Sequence, residues 1–241
     1  MKEHALHNKH IVIIGGTSGI GLAAAKLLLS LGAKLTITGQ SEDSLNQVKN
    51  DLGMKTKYAI LNISNEKNIE EFFDSIENID HLTTPGNVLN TGSFLDLPLE
   101  KARIGMESKF WGQYLAAKCA VPIMHSHGSI TFFSGVAAKR PSVGSAVMTA
   151  VNSAVEGLGR ALAVELAPMR VNVLSPGIVD TPRWGKMKPE EKQSFFNNIA
   201  NRLLVKRIGY AEELAEALVF LMTNGFITGE TLEISGGHLL T

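Results

Sequence analysis

Short apolar runs alternate with helical patterns along most of the chain. The first run, residues 11–14, is β-branched and stops at two glycines, which predicts a buried strand. Residues 22–29 are rich in strong helix formers and precede Gly32, which predicts a helix. The same patterns predict strands at 34–38, 57–63, 81–84, 129–134, 170–174 and 231–234, a loop at 87–97, and helices at 66–76, 101–125, 145–167, 189–203 and 211–223, with one more beginning at Ser41. Repeated β–α units of this kind predict a doubly wound α/β fold, in which helices cover both faces of a parallel sheet.

A glycine-rich turn joins the first strand to the first helix. It reads Gly15-Gly16-Thr17-Ser18-Gly19-Ile20-Gly21. Glycines let backbone N–H groups approach a ligand closely, and a helix start adds unpaired donors and the positive end of the dipole. The turn therefore predicts a phosphate-binding loop. Its spacing differs from the usual G-x-G-x-x-G dinucleotide motif, and it lacks the lysine of a nucleotide-hydrolysing loop.

The spacing resembles the T-G-x-x-x-G-I-G motif of the short-chain dehydrogenase/reductase family, with Ile14 in place of the leading threonine. Residues 175–181 (SPGIVDT) are similar to the family's P-G-x-V-x-T, and residues 227–237 to its I-T-G-x-x-x-x-V-D-G-G. The resemblance covers about residues 9–237. It implies a single-domain Rossmann-type sheet over residues 1–241 and hydride transfer between a nicotinamide cofactor and a small carbonyl or alcohol.

Composition and charge exclude several other classes of protein. Lysine plus arginine equals aspartate plus glutamate at 23 each, so no basic field favours nucleic acid or an anionic membrane. No stretch reaches the roughly 18 apolar residues of a membrane span, and we expect a cytoplasmic protein. Cys119 is the single cysteine, so no disulfide holds the fold and no thiolate cluster binds a metal.

The resemblance implies where the cofactor binds. Ligands of doubly wound sheets lie beyond the carboxyl ends of the strands. The family's phosphate loop maps to Gly15, Thr17, Ser18, Gly19, Ile20 and Gly21, its adenosine side to Asn62, Ile63, Pro85 and Gly86, and its nicotinamide loop to Pro176, Gly177, Ile178 and Thr181. In that loop the Ile178 backbone would hold the carboxamide, and the Thr181 hydroxyl would bond the carboxamide or the diphosphate.

The end of the second strand bears on the choice of cofactor. An acidic residue there would bind both ribose hydroxyls of NAD and repel a 2′-phosphate, but none occurs before Glu42. Gln40 and Ser41 can donate to a phosphate, although the arginine that often clamps it is missing. We therefore expect NADP(H) rather than NAD(H). A simple helix cap at these two residues is compatible with either cofactor.

The catalytic set of the family is not retained. It comprises a tyrosine that acts as general acid or base, a lysine four residues later, a serine thirteen residues earlier and an asparagine on the preceding helix. The register of residues 156–158 (EGL) places Met148 at the tyrosine and Asn152 at the lysine. The serine position is Gly135, with Ser134 one residue earlier. Met148 has no proton to give and Asn152 is neutral, which excludes the tyrosine mechanism.

Lys109 falls at the position of the family's asparagine. At the nicotinamide end it could bond the ribose or carboxamide, and it could donate a proton if burial lowers its pKa. A purely structural or cofactor-binding role for Lys109 stays open. Lys109 and Ser134 are the candidate catalytic residues of an oxidoreductase; the alternative is an inactive cofactor-binding protein that serves as sensor, scaffold or partner subunit.

Two further features concern assembly and substrate. Small residues at helical spacing in 146–165 allow another helix to approach closely, and in the family this helix and the one before it pack against their copies, so we expect a homodimer or homotetramer. Residues 183–209 fall where the family has a substrate lid. Their aromatic residues suit a hydrophobic substrate or a lid packed on itself.

Overall fold

Seven parallel strands form the centre of the fold. The computed structural model describes residues 5–86 and 91–241, and within them the sheet has the order β3-β2-β1-β4-β5-β6-β7. The strands are β1 (His10–Ile14), β2 (Lys34–Gly39), β3 (Lys57–Ile60), β4 (Ile79–Thr83), β5 (Met124–Phe133), β6 (Arg170–Pro176) and β7 (Thr231–Ile234). The order reverses between β1 and β4, which makes their carboxyl ends the topological switch point.

Helices cover both faces of this sheet. They are α1 (Gly19–Ser30), α2 (Glu42–Leu52), α3 (Glu66–Asp74), α4 (Leu99–Gly105), α5 (Gly112–Ala120), α6 (Ala146–Glu165), α7 (Pro189–Arg202) and α8 (Ala211–Thr223). Alternate β1 side chains enter different cores because strand side chains have a period of two. Ile11 and Ile13 join the core with α1 and α8, whereas Val12 and Ile14 join the core with α3 and α5. The predicted doubly wound fold is confirmed.

The helix predicted at 101–125 is wrong in its extent. It begins as α4, continues as a π-helix over Met106–Trp111 and ends with α5, after which Val121–Ile123 form a 3₁₀ turn. Pro122 has no N–H to continue an α-helix. Residues 124–128, which we expected to precede the fifth strand, begin β5, and its pairing with β4 shifts register between Ile79 and His81.

The third strand is shorter than predicted. It ends at Ile60, and the Asn62 backbone N–H then bonds to the Asn68 side chain at 2.7 Å instead of to a neighbouring strand. In the loop predicted at 87–97, residues 91–97 contain neither helix nor strand, and residues 87–90 lie outside the described part of the chain.

The Gln113 side chain connects the π-helix to the sheet. Its Nε2 donates to the carbonyls of Lys109 at 2.6 Å and Phe133 at 3.1 Å. Its Oε1 accepts from the Phe133 N–H at 2.8 Å and the Thr84 hydroxyl at 2.5 Å. Gln113 is fully buried, so water could not take over these hydrogen bonds if the side chain were removed. One amide therefore ties the turn that carries Lys109 to the ends of β4 and β5.

We expect Gln113→Leu to destabilise the protein by about 3 kcal/mol or more. The substitution leaves several buried donors and acceptors unpaired, each at a cost of about 1–3 kcal/mol. Urea unfolding followed by circular dichroism measures the change. The control is Gln193→Leu on α7, where an exposed glutamine bonds only to Asn197. That variant should stay within about 0.5 kcal/mol of wild type, and an equal effect of both substitutions would contradict the role of Gln113.

Candidate active site

A cleft of about 780 Å³ lies at the carboxyl ends of the strands. It brings together most residues singled out in the sequence: Gly15, Thr17, Ser18, Gly19, Ile20, Gly21, Gln40, Ser41, Ile63, Pro85, Gly86, Lys109, Ser134, Met148, Asn152, Pro176, Gly177, Ile178 and Thr181. Asn62 is not among the lining residues; its side chain is exposed and accepts a hydrogen bond from the Ser64 N–H at 3.0 Å. The cleft extends from the glycine loop to the loop after β6.

The backbone around the glycine loop is packed too closely to admit side chains at Gly15 and Gly21. A Cβ on Gly15 would lie 2.4 Å from the Gly86 Cα, and one on Gly21 would lie 2.0 Å from the Gly15 carbonyl oxygen. Gly15 also has a φ of +91°, which favours glycine. The Ser18 side chain does not cap α1, and the first turn of α1 has no acidic residue. A helix start of this kind fits the diphosphate of a dinucleotide.

Two serines lie at the start of α2, directly after β2. Ser41 and Ser44 each accept a hydrogen bond from the other's backbone N–H, at 3.3 Å, which caps α2. The cap expected from the sequence is thus present. Gln40 is exposed at the cleft beside it, and no aspartate or glutamate is among the described residues that line the cleft.

Lys109 lies at the inner end of the cleft. Its Nζ donates to the Ser134 carbonyl at 2.7 Å, and only 5% of the residue is exposed. Burial, assisted by the positive charge of Arg183, lowers the pKa of Lys109 to about 7. Water no longer solvates the ammonium, so its charged form is disfavoured. The residue can therefore hold or release a proton near neutral pH.

The Ser134 hydroxyl is directed away from Lys109. It donates to the Glu156 carboxylate at 3.1 Å, and both side chains are buried. Burial raises the pKa of Glu156. Ser134 thus meets Lys109 through its backbone carbonyl, while its hydroxyl is held by α6. In the sequence, Glu156 served only to align the chain with the family motif. Its hydrogen bond with Ser134 joins residues 22 positions apart, so the sequence did not reveal it.

Asn152 approaches the same end of β5 from α6. Its Nδ2 donates to the Gly135 carbonyl at 3.3 Å, next to the carbonyl that Lys109 holds. Its Oδ1 is buried and has no hydrogen-bond partner among the described residues, although the side chain lines the cleft. Asn152 therefore offers the cleft an acceptor, where the family has the ammonium of a lysine. Met148 lines the cleft one turn earlier and is half-buried.

Arg183 is a lining residue that the sequence reasoning did not select. It follows Thr181 in a 3₁₀ turn, Pro182–Trp184, and its guanidinium lies 5.9 Å from the centroid of the Trp184 ring. The Trp184 indole N–H donates to the Val179 carbonyl at 2.8 Å, which fixes the ring. The sequence signal that could have identified Arg183 is its position: it is a basic residue at the start of the expected lid, two residues after Thr181.

The aromatic residues of the expected lid pack on one another. The Trp184 ring centroid lies 5.0 Å from that of Phe195 and 6.0 Å from that of Phe196. Phe195 and Phe196 belong to α7, so this cluster connects the helix to the loop after β6. Trp184 alone of the three lines the cleft.

The described residues were considered for membrane-spanning helices and for metal-binding clusters. No helix there has the length and apolar character that a membrane crossing requires. No group of three or more histidine, cysteine, aspartate or glutamate side chains in the same residues is arranged to hold a metal ion. The cytoplasmic location stays a prediction.

Comparisons with known proteins cover nearly the whole chain. A family model described as enoyl-(acyl carrier protein) reductase matches residues 15–238. The short-chain dehydrogenase/reductase malC of Malbranchea aurantiaca is 30% identical over 98% of this chain and 96% of its own. The 3-oxoacyl-[acyl-carrier-protein] reductase FabG of Haemophilus influenzae is 28% identical over 98% of this chain and 100% of its own.

Solved structures agree with these matches. A small-chain dehydrogenase in complex with NADPH superposes with a TM-score of 0.83 at 31% identity, covering 97% of this chain and 100% of its own. The MalC reductase/Diels-Alderase from Malbranchea aurantiaca superposes with a TM-score of 0.92 at 29% identity, covering both chains fully. The NADPH complex supports nicotinamide-cofactor binding in a cleft of this kind. The fold, the glycine loop and these matches together show that the chain belongs to the short-chain dehydrogenase/reductase family of oxidoreductases.

Proposed function

We propose that this protein is an NADP(H)-dependent oxidoreductase that reduces a small carbonyl compound, or oxidises the corresponding alcohol, with Lys109 in place of the family's tyrosine. The observation that carries the proposal is the buried Lys109 ammonium in the cleft, whose pKa is lowered to about 7. A general acid or base works best when its pKa lies near the working pH. The NADPH-bound relative and the reductase named MalC support the same reaction class.

The described residues would have separate roles in cofactor binding and in proton transfer. A bound nicotinamide supplies or accepts the hydride. The glycine loop and the start of α1 would hold the diphosphate, and the Ile178 backbone and Thr181 hydroxyl would hold the carboxamide end. Lys109 donates its proton to the substrate oxygen as that oxygen gains negative charge, and it takes a proton back when the reaction runs toward the carbonyl.

The Ser134 carbonyl orients Lys109 in both protonation states. An ammonium and a neutral amine both have N–H groups to donate, so the 2.7 Å bond can persist after Lys109 gives up a proton. The Lys109 nitrogen therefore stays in place during the reaction. Ser134 itself acts through its backbone, since its hydroxyl is bonded to Glu156.

A cofactor-binding protein without turnover is the second candidate. Met148 and Asn152 favour it, because neither side chain can exchange a proton with a substrate oxygen. Such a protein would act as a sensor, scaffold or partner subunit. It would keep cofactor affinity and would show no activity that depends on Lys109.

Lys109→Met separates the two candidates. We expect the kcat for carbonyl reduction to fall about a hundredfold or more, since proton transfer contributes roughly 10²–10⁴-fold in other enzymes. The measurement is NADPH oxidation with a panel of aldehydes and ketones, after cofactor binding has been confirmed by nicotinamide fluorescence. The control is Lys118→Met, at an exposed lysine on α5. Equal rates for Lys109→Met and wild type would remove Lys109 from catalysis.

The pH dependence should follow the same proton. Reduction needs protonated Lys109, so the wild-type kcat should fall as the pH rises through about 7, whereas alcohol oxidation should rise over that range. The positive charge of Arg183, in the loop after β6, lowers the pKa of Lys109. The Glu156 carboxylate on α6 accepts a hydrogen bond from the Ser134 hydroxyl. Initial rates at a series of pH values in both directions check the sign. A wild-type profile that is flat through this range would contradict the assignment.

The preference for NADP(H) rests on the uncharged Gln40 end of the cleft. We expect Gln40→Asp to weaken NADPH binding about tenfold or more, because a carboxylate repels the 2′-phosphate. NADH affinity should hold or improve, since the carboxylate can accept from the ribose hydroxyls. Fluorescence titration with both cofactors measures the ratio, and Gln193→Asp on α7 is the control. Tighter binding of NADH than of NADPH by wild type would refute the preference.

We also infer a homodimer or homotetramer built on α5 and α6. Trp111 and Tyr114 stay 48% and 37% exposed, and their rings lie 5.7 Å apart. Ala150, Ser153 and Ala161 are exposed on α6. Exposed aromatic residues at one helix and exposed small residues on the other suit close packing against a second copy.

Trp111→Glu tests the assembly. Burying a glutamate in the interface should convert the oligomer to a monomer, as measured by size-exclusion chromatography with light scattering. Met54→Glu, at a fully exposed residue after α2, should leave the mass unchanged. A monomeric wild type would disprove the inference.

A further inference from the structure

The inner end of the cleft carries positive charge without a negative partner. Among the described residues that line the cleft, Lys109 and Arg183 are the charged ones. They act on each other: the positive charge of Arg183 is one reason why the pKa of Lys109 is low. Two cations that share one partly desolvated site repel each other, and an anion bound between them would remove the repulsion.

The nearby carboxylates are already engaged. Asp180 pairs with Lys192 at 2.7 Å. Glu156 accepts from the Ser134 hydroxyl, and Glu233 pairs with Lys139 at 2.7 Å. None of these three acids lines the cleft. A bound anion would therefore supply a negative charge that the described lining residues lack.

Arg183 is placed to bind such a ligand. It is exposed at the rim, so a ligand can reach it, and its guanidinium is held beside the Trp184 ring. Although the residue as a whole is exposed, protein atoms around its guanidinium displace part of the water there, and this desolvation lowers the pKa of Arg183. A guanidinium in this setting binds a carboxylate through two parallel hydrogen bonds.

The cofactor phosphates have their own site. The glycine loop follows β1, whereas Lys109 is bonded to Ser134 at the end of β5, with β4 between the two strands. Backbone N–H groups at the start of α1 serve the diphosphate without any lysine or arginine of the loop. Lys109 therefore lies away from the glycine loop. Arg183 follows Thr181 and Pro182, which lie 3.2 and 3.9 Å from where a Cβ on Gly19 would be, but its charge acts on Lys109.

We propose that the substrate is an oxo acid, whose carboxylate binds Arg183 and whose carbonyl oxygen faces Lys109. This proposal rests on the proposed function and names its substrate class. In the reduction, the hydride adds to the carbonyl carbon, the carbonyl π-electrons move to the oxygen, and that oxygen takes the Lys109 proton. The product is the hydroxy acid, with its carboxylate unchanged.

The test compares acids with their neutral esters. Protein saturated with NADP⁺, which has no hydride to give, is titrated with pyruvate, 2-oxobutyrate, benzoylformate and levulinate and with the methyl ester of each, and isothermal titration calorimetry gives the dissociation constants. The wild type should bind at least one acid about tenfold or more tightly than its ester, because only the acid forms charge-assisted hydrogen bonds with the guanidinium. Arg183→Gln should abolish that ratio while leaving ester and NADPH affinities unchanged.

A matched control and two contrary outcomes complete the experiment. Lys186→Gln removes a nearby exposed cation that does not line the cleft, and it should behave as wild type. The proposal is wrong if the wild type binds no acid more tightly than its ester. It is also wrong if Arg183→Gln weakens NADPH binding and leaves the acid-to-ester ratio intact, because Arg183 would then hold a cofactor phosphate.

These results are independent of the catalytic role of Lys109. Binding is measured without turnover, so an acid preference that needs Arg183 can stand even if Lys109→Met proves fully active. Conversely, the loss of activity in Lys109→Met would stand if no acid were preferred. The two proposals therefore fail separately.

Discussion

The hydrogen bond from the Lys109 ammonium to the Ser134 carbonyl is the interaction on which the chemistry of the cleft depends. Removing an ammonium from water is costly, and one carbonyl compensates for it only in part. The remaining cost appears as a pKa near 7 instead of 10.5. The same burial that makes Lys109 an unfavourable core residue makes it a usable acid and base, a conflict between stability and activity that is common at functional sites.

The surrounding structure holds this lysine in place from two directions. The π-helix Met106–Trp111 contains Lys109, and Gln113 accepts and donates the bonds that connect it to β4 and β5. From α6, Glu156 holds the Ser134 hydroxyl. π-Helical turns are rare overall, but those that occur are frequently found at functional sites. The extra residue in the turn changes the direction of the side chains. Here a buried glutamine side chain bonds to the carbonyl of Lys109 in that turn.

In the register predicted from residues 156–158, a cation and an amide exchange places relative to the family pattern. Lys109 then corresponds to the family's asparagine and Asn152 to its lysine. In the structure both residues donate to adjacent carbonyls at the end of β5, Ser134 and Gly135. The positive charge at the inner end of the cleft is thus kept but comes from the neighbouring helix. With Met148 in place of the tyrosine, Lys109 is the residue at that end whose proton can be exchanged near neutral pH.

The sequence alone determined the fold class and the glycine loop, and nearly all of the site residues that it named line the cleft. These follow from local spacing: apolar runs of strand length, glycines that no other residue can replace, and loops that come directly after strands. Sequence also excluded the tyrosine mechanism, because Met148 lacks the necessary proton. The prediction of a helix at 101–125 missed the π-helix Met106–Trp111, which has no distinct pattern of apolar positions. It also ran past Pro122, although a proline is a sequence signal for the end of an α-helix.

Tertiary structure decided the electrostatics. Whether Lys109 is solvated or buried, whether the Ser134 hydroxyl faces the cleft or Glu156, and whether Arg183 reaches the same site all depend on contacts between residues more than 20 positions apart. A pKa reflects the solvent and charges around a group, and the two causes of the Lys109 shift, burial and the charge of Arg183, arise from tertiary packing. Residue identities made proton transfer by Lys109 conceivable, and the packing of α5, α6 and β5 set the free energy of that proton.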